Sequence, residues 1–99
     1  MIHLAAKISV DESIKNPSET FQTNVEGTKN VLIACKKNEK KKIIVSSSAA
    51  VYGESKIDVK LTEKSKIKPI SPYGESKVRM ENEIRKFSED QNIDYVILR

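Results

Sequence analysis

Ile43-Ile44-Val45 is a continuous β-branched run that ends in Ser46-Ser47-Ser48. An apolar run without polar alternation reads as a strand buried on both faces, the kind found in parallel sheets. Helical patterns stand on either side of it. Phe21, Val25, Thr28, Leu32 and Cys35 recur at spacings of four and three after Pro17, which marks one face of a helix. Lys36 and Lys37 suit the C-terminal end of that helix, where cations meet the negative pole of its dipole. Tyr73, Lys77, Met80, Ile84 and Phe87 repeat the spacing, with Ser71 as N-cap and Pro72 in the first turn. Short strands over residues 2–6 and 95–98 complete a β-α-β-α-β order. The expected fold is α/β, with a three-stranded parallel sheet and right-handed crossovers. The polar stretch Ser9 to Asn16 reads as a loop, as does Glu54 to Ser71. A loop of the latter length is more often functional than idle.

The 99 residues make one small domain. No apolar run approaches the roughly 18–20 residues of a membrane helix, and Met1 to Ala6 is too short for a signal peptide, so no membrane partner is expected. A lone Cys35 excludes an internal disulfide and suits a reducing cytoplasm. One His and one Cys leave no metal site of the zinc kind. Of the 18 positive charges, 15 are lysine, clustered around Lys36 to Lys42 and Lys56 to Lys68. With only three arginines and five aromatics beside them, these are read as a solvated helix end and loop rather than a nucleic-acid surface. An exposed outer edge on the first strand would invite pairing or aggregation.

The chemistry concentrates on the second long helix. Met80, Ile84 and Phe87 must face the sheet to be buried, so Tyr73 and Lys77, on the same face nearer the N-terminus, overhang the carboxyl edge of the strands. Ligands of open α/β sheets bind at that edge. An ammonium four residues from a phenol favours the phenolate. Ser46-Ser47-Ser48 reaches the same edge, where a hydroxyl can complete an acid–base relay. Taken alone, each feature has an ordinary structural reading: a tyrosine and a lysine snorkelling at a helix end, and serines closing a strand. Asn24, on the apolar face of the first long helix, needs partners for its amide. It either satisfies the structure or holds a water or backbone group near the site.

Five motifs in order carry a resemblance: His3-Leu4-Ala5-Ala6, Ser9-Val10-x-x-Ser13, Asn24-Val25-x-Gly27-Thr28, Ser46-Ser47-Ser48-Ala49-Ala50-Val51-Tyr52-Gly53 and Ser71-Pro72-Tyr73-Gly74-x-Ser76-Lys77. From His3 to Arg99 the chain resembles the extended short-chain dehydrogenase/reductases, in particular the NAD-dependent epimerase/dehydratase family that includes UDP-glucose 4-epimerase. The resemblance implies part of a Rossmann-like doubly wound domain over residues 1–99, NAD as cofactor, a nucleotide-sugar substrate and transient oxidation at sugar C4. It implies Tyr73 as catalytic base, Lys77 on the nicotinamide ribose, and Ser48 in contact with Tyr73 and the sugar. Ala5 and Ala6 would line the cofactor where their strand ends, and Asn24 would stand near the active site as a further cofactor-binding residue.

Two departures qualify these expectations. Family members that dehydrate the sugar resemble this chain but place an Asp-Glu pair after the strand-end hydroxyl. Ala49 and Ala50 stand there and cannot move a proton, which argues against 4,6-dehydration. Galactose-type epimerases often carry a Lys where Ile8 stands, so the sugar is left open. The larger departure concerns the cofactor. Only Gly27, Gly53 and Gly74 are present, with no G-x-G-x-x-G turn and no acidic residue placed to choose NAD over NADP. The chain therefore reads as the second half of a dinucleotide-binding domain, without the family's glycine-rich half or its C-terminal substrate region. It would be inactive alone: a catalytic segment, or else a non-catalytic remnant or split subunit needing a homodimer or a complementing chain.

Overall fold

The computed structural model describes residues 1–99. In order, the chain forms β1 (Ile2–His3), α1 (Val10–Lys15), α2 (Pro17–Phe21), a π-helical turn (Gln22–Glu26), α3 (Gly27–Lys37), β2 (Lys42–Ser46), a 3-10 turn (Ala49–Tyr52), α4 (Pro72–Gln91) and β3 (Asp94–Leu98). The three strands form one parallel sheet in the order β1-β2-β3. This is the expected α/β architecture. The first long helix is also present, as α2, the π turn and α3 running without a break.

Two local readings are corrected. Ser9 to Asn16 is mostly helix rather than loop, because the Ser9 side chain accepts from the Glu12 N–H and supplies an N-cap. The first strand stops at His3 instead of Ala6. Beyond it the backbone is held elsewhere: the Asn24 amide accepts from Lys7 N–H at 2.8 Å and donates to Lys7 C=O at 3.0 Å. Ala5 and Ala6 consequently lie on a loop past the strand, Ala5 exposed and Ala6 half-buried.

The core follows the two stripes. Leu32 and Cys35 of α3, and Met80 and Ile84 of α4, pack on Ile43 and Val45 of β2 and on Ile93. Strand register sets His3, Val45 and Ile97 on this covered face. Ile2, Ile44 and Val96 stand on the opposite face, where Ile2, Val96 and Leu98 are exposed. Parallel sheets ordinarily have both faces covered, and this one has helices against one face only. Residues 54–71 form no helix or strand, as expected, and the Lys68 N–H bond to Val51 C=O (3.0 Å) pins the end of that segment. Thirty-one residues separate Ser46 from Lys77, yet the helix returns to the strand end, and the site is built there.

Candidate active site

Residue Tyr73 sits in the first turn of α4 and is 8% exposed. Its N-terminal placement comes from Ser71, whose side chain accepts from Gly74 N–H at 3.0 Å, and from Pro72. The Tyr73 N–H, one of the helix's free first-turn donors, is taken by buried Ser13 Oγ at 3.0 Å, and Ser13 in turn donates to Val10 C=O at 2.6 Å. Thus α1 fastens the start of the tyrosine helix. No protein group hydrogen-bonds the phenol oxygen.

One turn on, Lys77 is 3% exposed. Its ammonium donates to the carbonyl of Ser46, the last residue of β2, at 3.1 Å and lies 5.9 Å from the Tyr73 ring centre. That places the pair at the carboxyl edge of the sheet. Burial pushes the Lys77 ammonium below the ordinary lysine range, and the Glu81 carboxylate, one turn further along, pushes back. One acceptor for three N–H groups leaves Lys77 donors to offer.

Ser48 leaves the strand in extended conformation and caps the 3-10 turn, its Oγ accepting from Ala50 N–H at 3.1 Å. The hydroxyl proton is not used in that bond. The turn and the start of α4 abut: a Cβ on Gly74 would stand 2.6 Å from the Ala50 carbonyl oxygen. Glycine is what lets the helix carrying Tyr73 approach the segment carrying Ser48. The structure thereby brings together the elements bearing Ser48, Tyr73 and Lys77.

Asn24 is buried within the π-helical turn. Turns of this type widen a helix by one residue and cluster at functional sites. Besides its two bonds to Lys7, it donates to Ser76 Oγ at 3.0 Å. Its amide is therefore spent on protein groups, joining the loop after β1 to α4. Next to it, His3 Nε2 and Thr28 Oγ1 are 3.0 Å apart. Burial, and then the nearby Lys77 charge, lower the His3 pKa, so the ring is neutral at neutral pH.

Sequence reasoning missed the densest polar cluster. Glu81, 1% exposed, receives Arg99 Nε on Oε1 (2.9 Å) and Arg99 Nη2 on Oε2 (2.6 Å). It also receives Ser47 Oγ (2.6 Å) and Arg85 Nη2 (2.9 Å). Burial pushes the carboxyl up, but the bonds from Arg99, Ser47 and Arg85 outweigh it and hold the group below its usual range. No group of three or more His, Cys, Asp or Glu side chains is placed to hold a metal.

A parallel sheet whose crossover helices return to its carboxyl edge is a Rossmann-type arrangement. The family model described as GDP-mannose 4,6 dehydratase matches residues 1–99. UDP-glucose 4-epimerase of Halalkalibacterium halodurans is 38% identical over 99 residues, covering 100% of this chain and 29% of the relative. Among solved structures, UDP-N-acetylglucosamine 4-epimerase from Methanobrevibacter ruminantium, in complex with UDP-N-acetylmuramic acid, superposes with a TM-score of 0.92 at 42% identity. That match covers 99% of this chain and 31% of the neighbour. Thermus thermophilus UDP-glucose 4-epimerase in complex with NAD gives 0.95 at 31% identity, covering 99% and 32%. The chain belongs to this epimerase/dehydratase family of extended short-chain dehydrogenase/reductases and spans about 30% of the length of the relatives it matches.

Proposed function

We propose that this chain is the catalytic segment of an NAD-dependent nucleotide-sugar 4-epimerase of the UDP-glucose 4-epimerase kind, its 99 residues forming one part of the dinucleotide-binding domain. The observation that carries the reading is the Lys77 ammonium, held on the Ser46 carbonyl beside the Tyr73 ring. Tyr73, its phenol oxygen free of protein partners, takes the proton of the sugar C4 hydroxyl. Lys77 supplies the positive charge that favours this transfer and would hold the cofactor ribose. Ser48 orients the sugar hydroxyl toward Tyr73. Ala5 and Ala6, small and on the loop past β1, let the cofactor pass close, and Asn24 fixes that loop through Lys7. Bound NAD would supply the hydride acceptor, while the protein's part is orientation and proton transfer.

The residues present fit the nicotinamide end of the cofactor: Lys77 has N–H groups to spare and Tyr73 an unengaged hydroxyl. Epimerisation is preferred to 4,6-dehydration because Ala49 and Ala50 follow Ser48, and neither can serve as an acid or base. The substrate would be a nucleotide sugar and the setting cytoplasmic. No helix is long and apolar enough to cross a membrane. Replacing Tyr73 with Phe tests the base role, by the loss of turnover with cofactor binding kept.

A second reading is favoured by the exposed face at Ile2, Val96 and Leu98. In it, the chain is a split subunit or remnant that binds cofactor only when further polypeptide, a second copy or a complementing chain, covers that face. Sedimentation of the purified chain, alone and with NAD, separates a monomer from such an assembly.

A further inference from the structure

We infer that Glu81 is a positioning residue that ties both ends of the Ser48-bearing turn to the helix carrying Tyr73 and Lys77. The inference rests on the proposal that these three residues form the reacting set. Glu81 lies on α4 one turn beyond Lys77. Its Oε1 accepts from Ser47, the residue just before Ser48. Both oxygens accept from Arg99, in the two-pronged geometry that suits guanidinium and carboxylate. Arg99 Nη1 donates to Tyr52 Oη at 3.0 Å, and the guanidinium lies 5.2 Å from the centre of the Tyr52 ring. Tyr52 ends the 3-10 turn that Ser48 begins. A single buried carboxylate therefore holds the turn directly at Ser47 and through Arg99 at Tyr52.

The same carboxylate opposes the burial that lowers the Lys77 pKa. A purely structural ion pair could be exchanged for apolar packing without consequence to the site. This one has its acceptor on the reacting helix, one donor, Ser47, at the entrance to the turn and another, Arg99, bonded to Tyr52 at its end, so its loss should free the turn and weaken the Lys77 charge together.

The test uses the full 99-residue chain as Glu81→Gln and, separately, as Ser47→Ala. Amide hydrogen exchange is read at Ala50, Val51 and Gly53, whose N–H groups bond within the turn, and at Met80 to Ile84 as the reference. The Lys77 titration is read from its side-chain carbon resonance. In Glu81→Gln, exchange in the turn should quicken at least about tenfold relative to the helix, and the Lys77 midpoint should fall. In Ser47→Ala, which keeps the carboxylate, the turn should quicken while the Lys77 midpoint stays. Unchanged turn exchange, equal acceleration throughout α4, or an unmoved Lys77 midpoint in Glu81→Gln would overturn the inference. If Glu81→Gln does not fold, Ser47→Ala decides it through the turn alone. Neither readout needs turnover, so failure of Tyr73 as the base would leave both in place.

Discussion

Lys77 Nζ donates to the Ser46 carbonyl and stands 5.9 Å from the centre of the Tyr73 ring. A buried ammonium so placed has two influences on it: the low-polarity surroundings that disfavour its charge, and the Glu81 carboxylate that supports it. It is the link between the sheet edge, which the sequence pattern dictates, and the chemistry proposed for the phenol.

Asn24 saturates three groups at once, Lys7 N–H, Lys7 C=O and Ser76 Oγ. Asn24→Leu strands them, and at about 1–3 kcal/mol for each buried group left unpaired the chain should lose at least about 3 kcal/mol. Urea denaturation measures this. A loss under about 0.5 kcal/mol would show that water replaces the amide freely.

Gly53 has φ +70° with ψ −143°, a conformation that L side chains rarely adopt, and an added Cβ would overlap the Lys68 carbonyl. Gly53→Ala should cost at least about 2 kcal/mol from strain alone. Thermal unfolding checks it, with Gly27→Ala as the control, since nothing lies within 4 Å of a Cβ there.

His3 gives the acid limb of stability a specific cause. Its folded pKa lies below the unfolded value of about 6.5, so the unfolded chain binds the extra proton first. Stability should therefore be full above about pH 6.5 and fall as the pH drops through the window below it. His3→Gln should flatten the loss in that window in pH-dependent urea unfolding. A wild-type slope retained in His3→Gln would assign it to other groups. The Glu81 carboxyl, also depressed, acts lower, below the ordinary carboxylate range.

Residues 1–99 contain no glycine-rich turn to cradle the cofactor phosphates. NAD binding to the chain alone should accordingly be weak, with no saturation at micromolar cofactor in calorimetric titration. Micromolar affinity would contradict the reading of residues 1–99 as part of a cofactor site.

Much of the architecture was legible because burial has a period. The stripes Phe21 to Cys35 and Tyr73 to Phe87 specified two helices, and Ile43 to Val45 the strand between them. Helix α1 has no apolar period and so reads as a loop, although Ser9 followed three residues later by Glu12 is a capping pattern. What periodicity does not encode is a side-chain bond between distant residues. Asn24 holds Lys7, 17 residues away, and Glu81 meets Arg99 across 18. Glu81, four residues after Lys77 and three before Ile84, does fall on the buried stripe, but its charge, in a helix rich in charge, disguises it as a solvent-facing residue. The π turn around Asn24 leaves no signature in a spacing that continues smoothly through it.

The most direct test of the central claim, that Tyr73 acts as base beside Lys77 and Ser48, is a graft. Residues 1–99 replace the matching segment of the Halalkalibacterium halodurans relative, and conversion of UDP-glucose to UDP-galactose is measured with Tyr73 and with Tyr73→Phe. The account predicts turnover with Tyr73 and a loss of at least about a hundredfold in Tyr73→Phe, in line with the contribution of a positioned general base, with NAD affinity nearly unchanged. A graft that binds NAD yet epimerises nothing, or a Tyr73→Phe form that keeps its turnover, would contradict it.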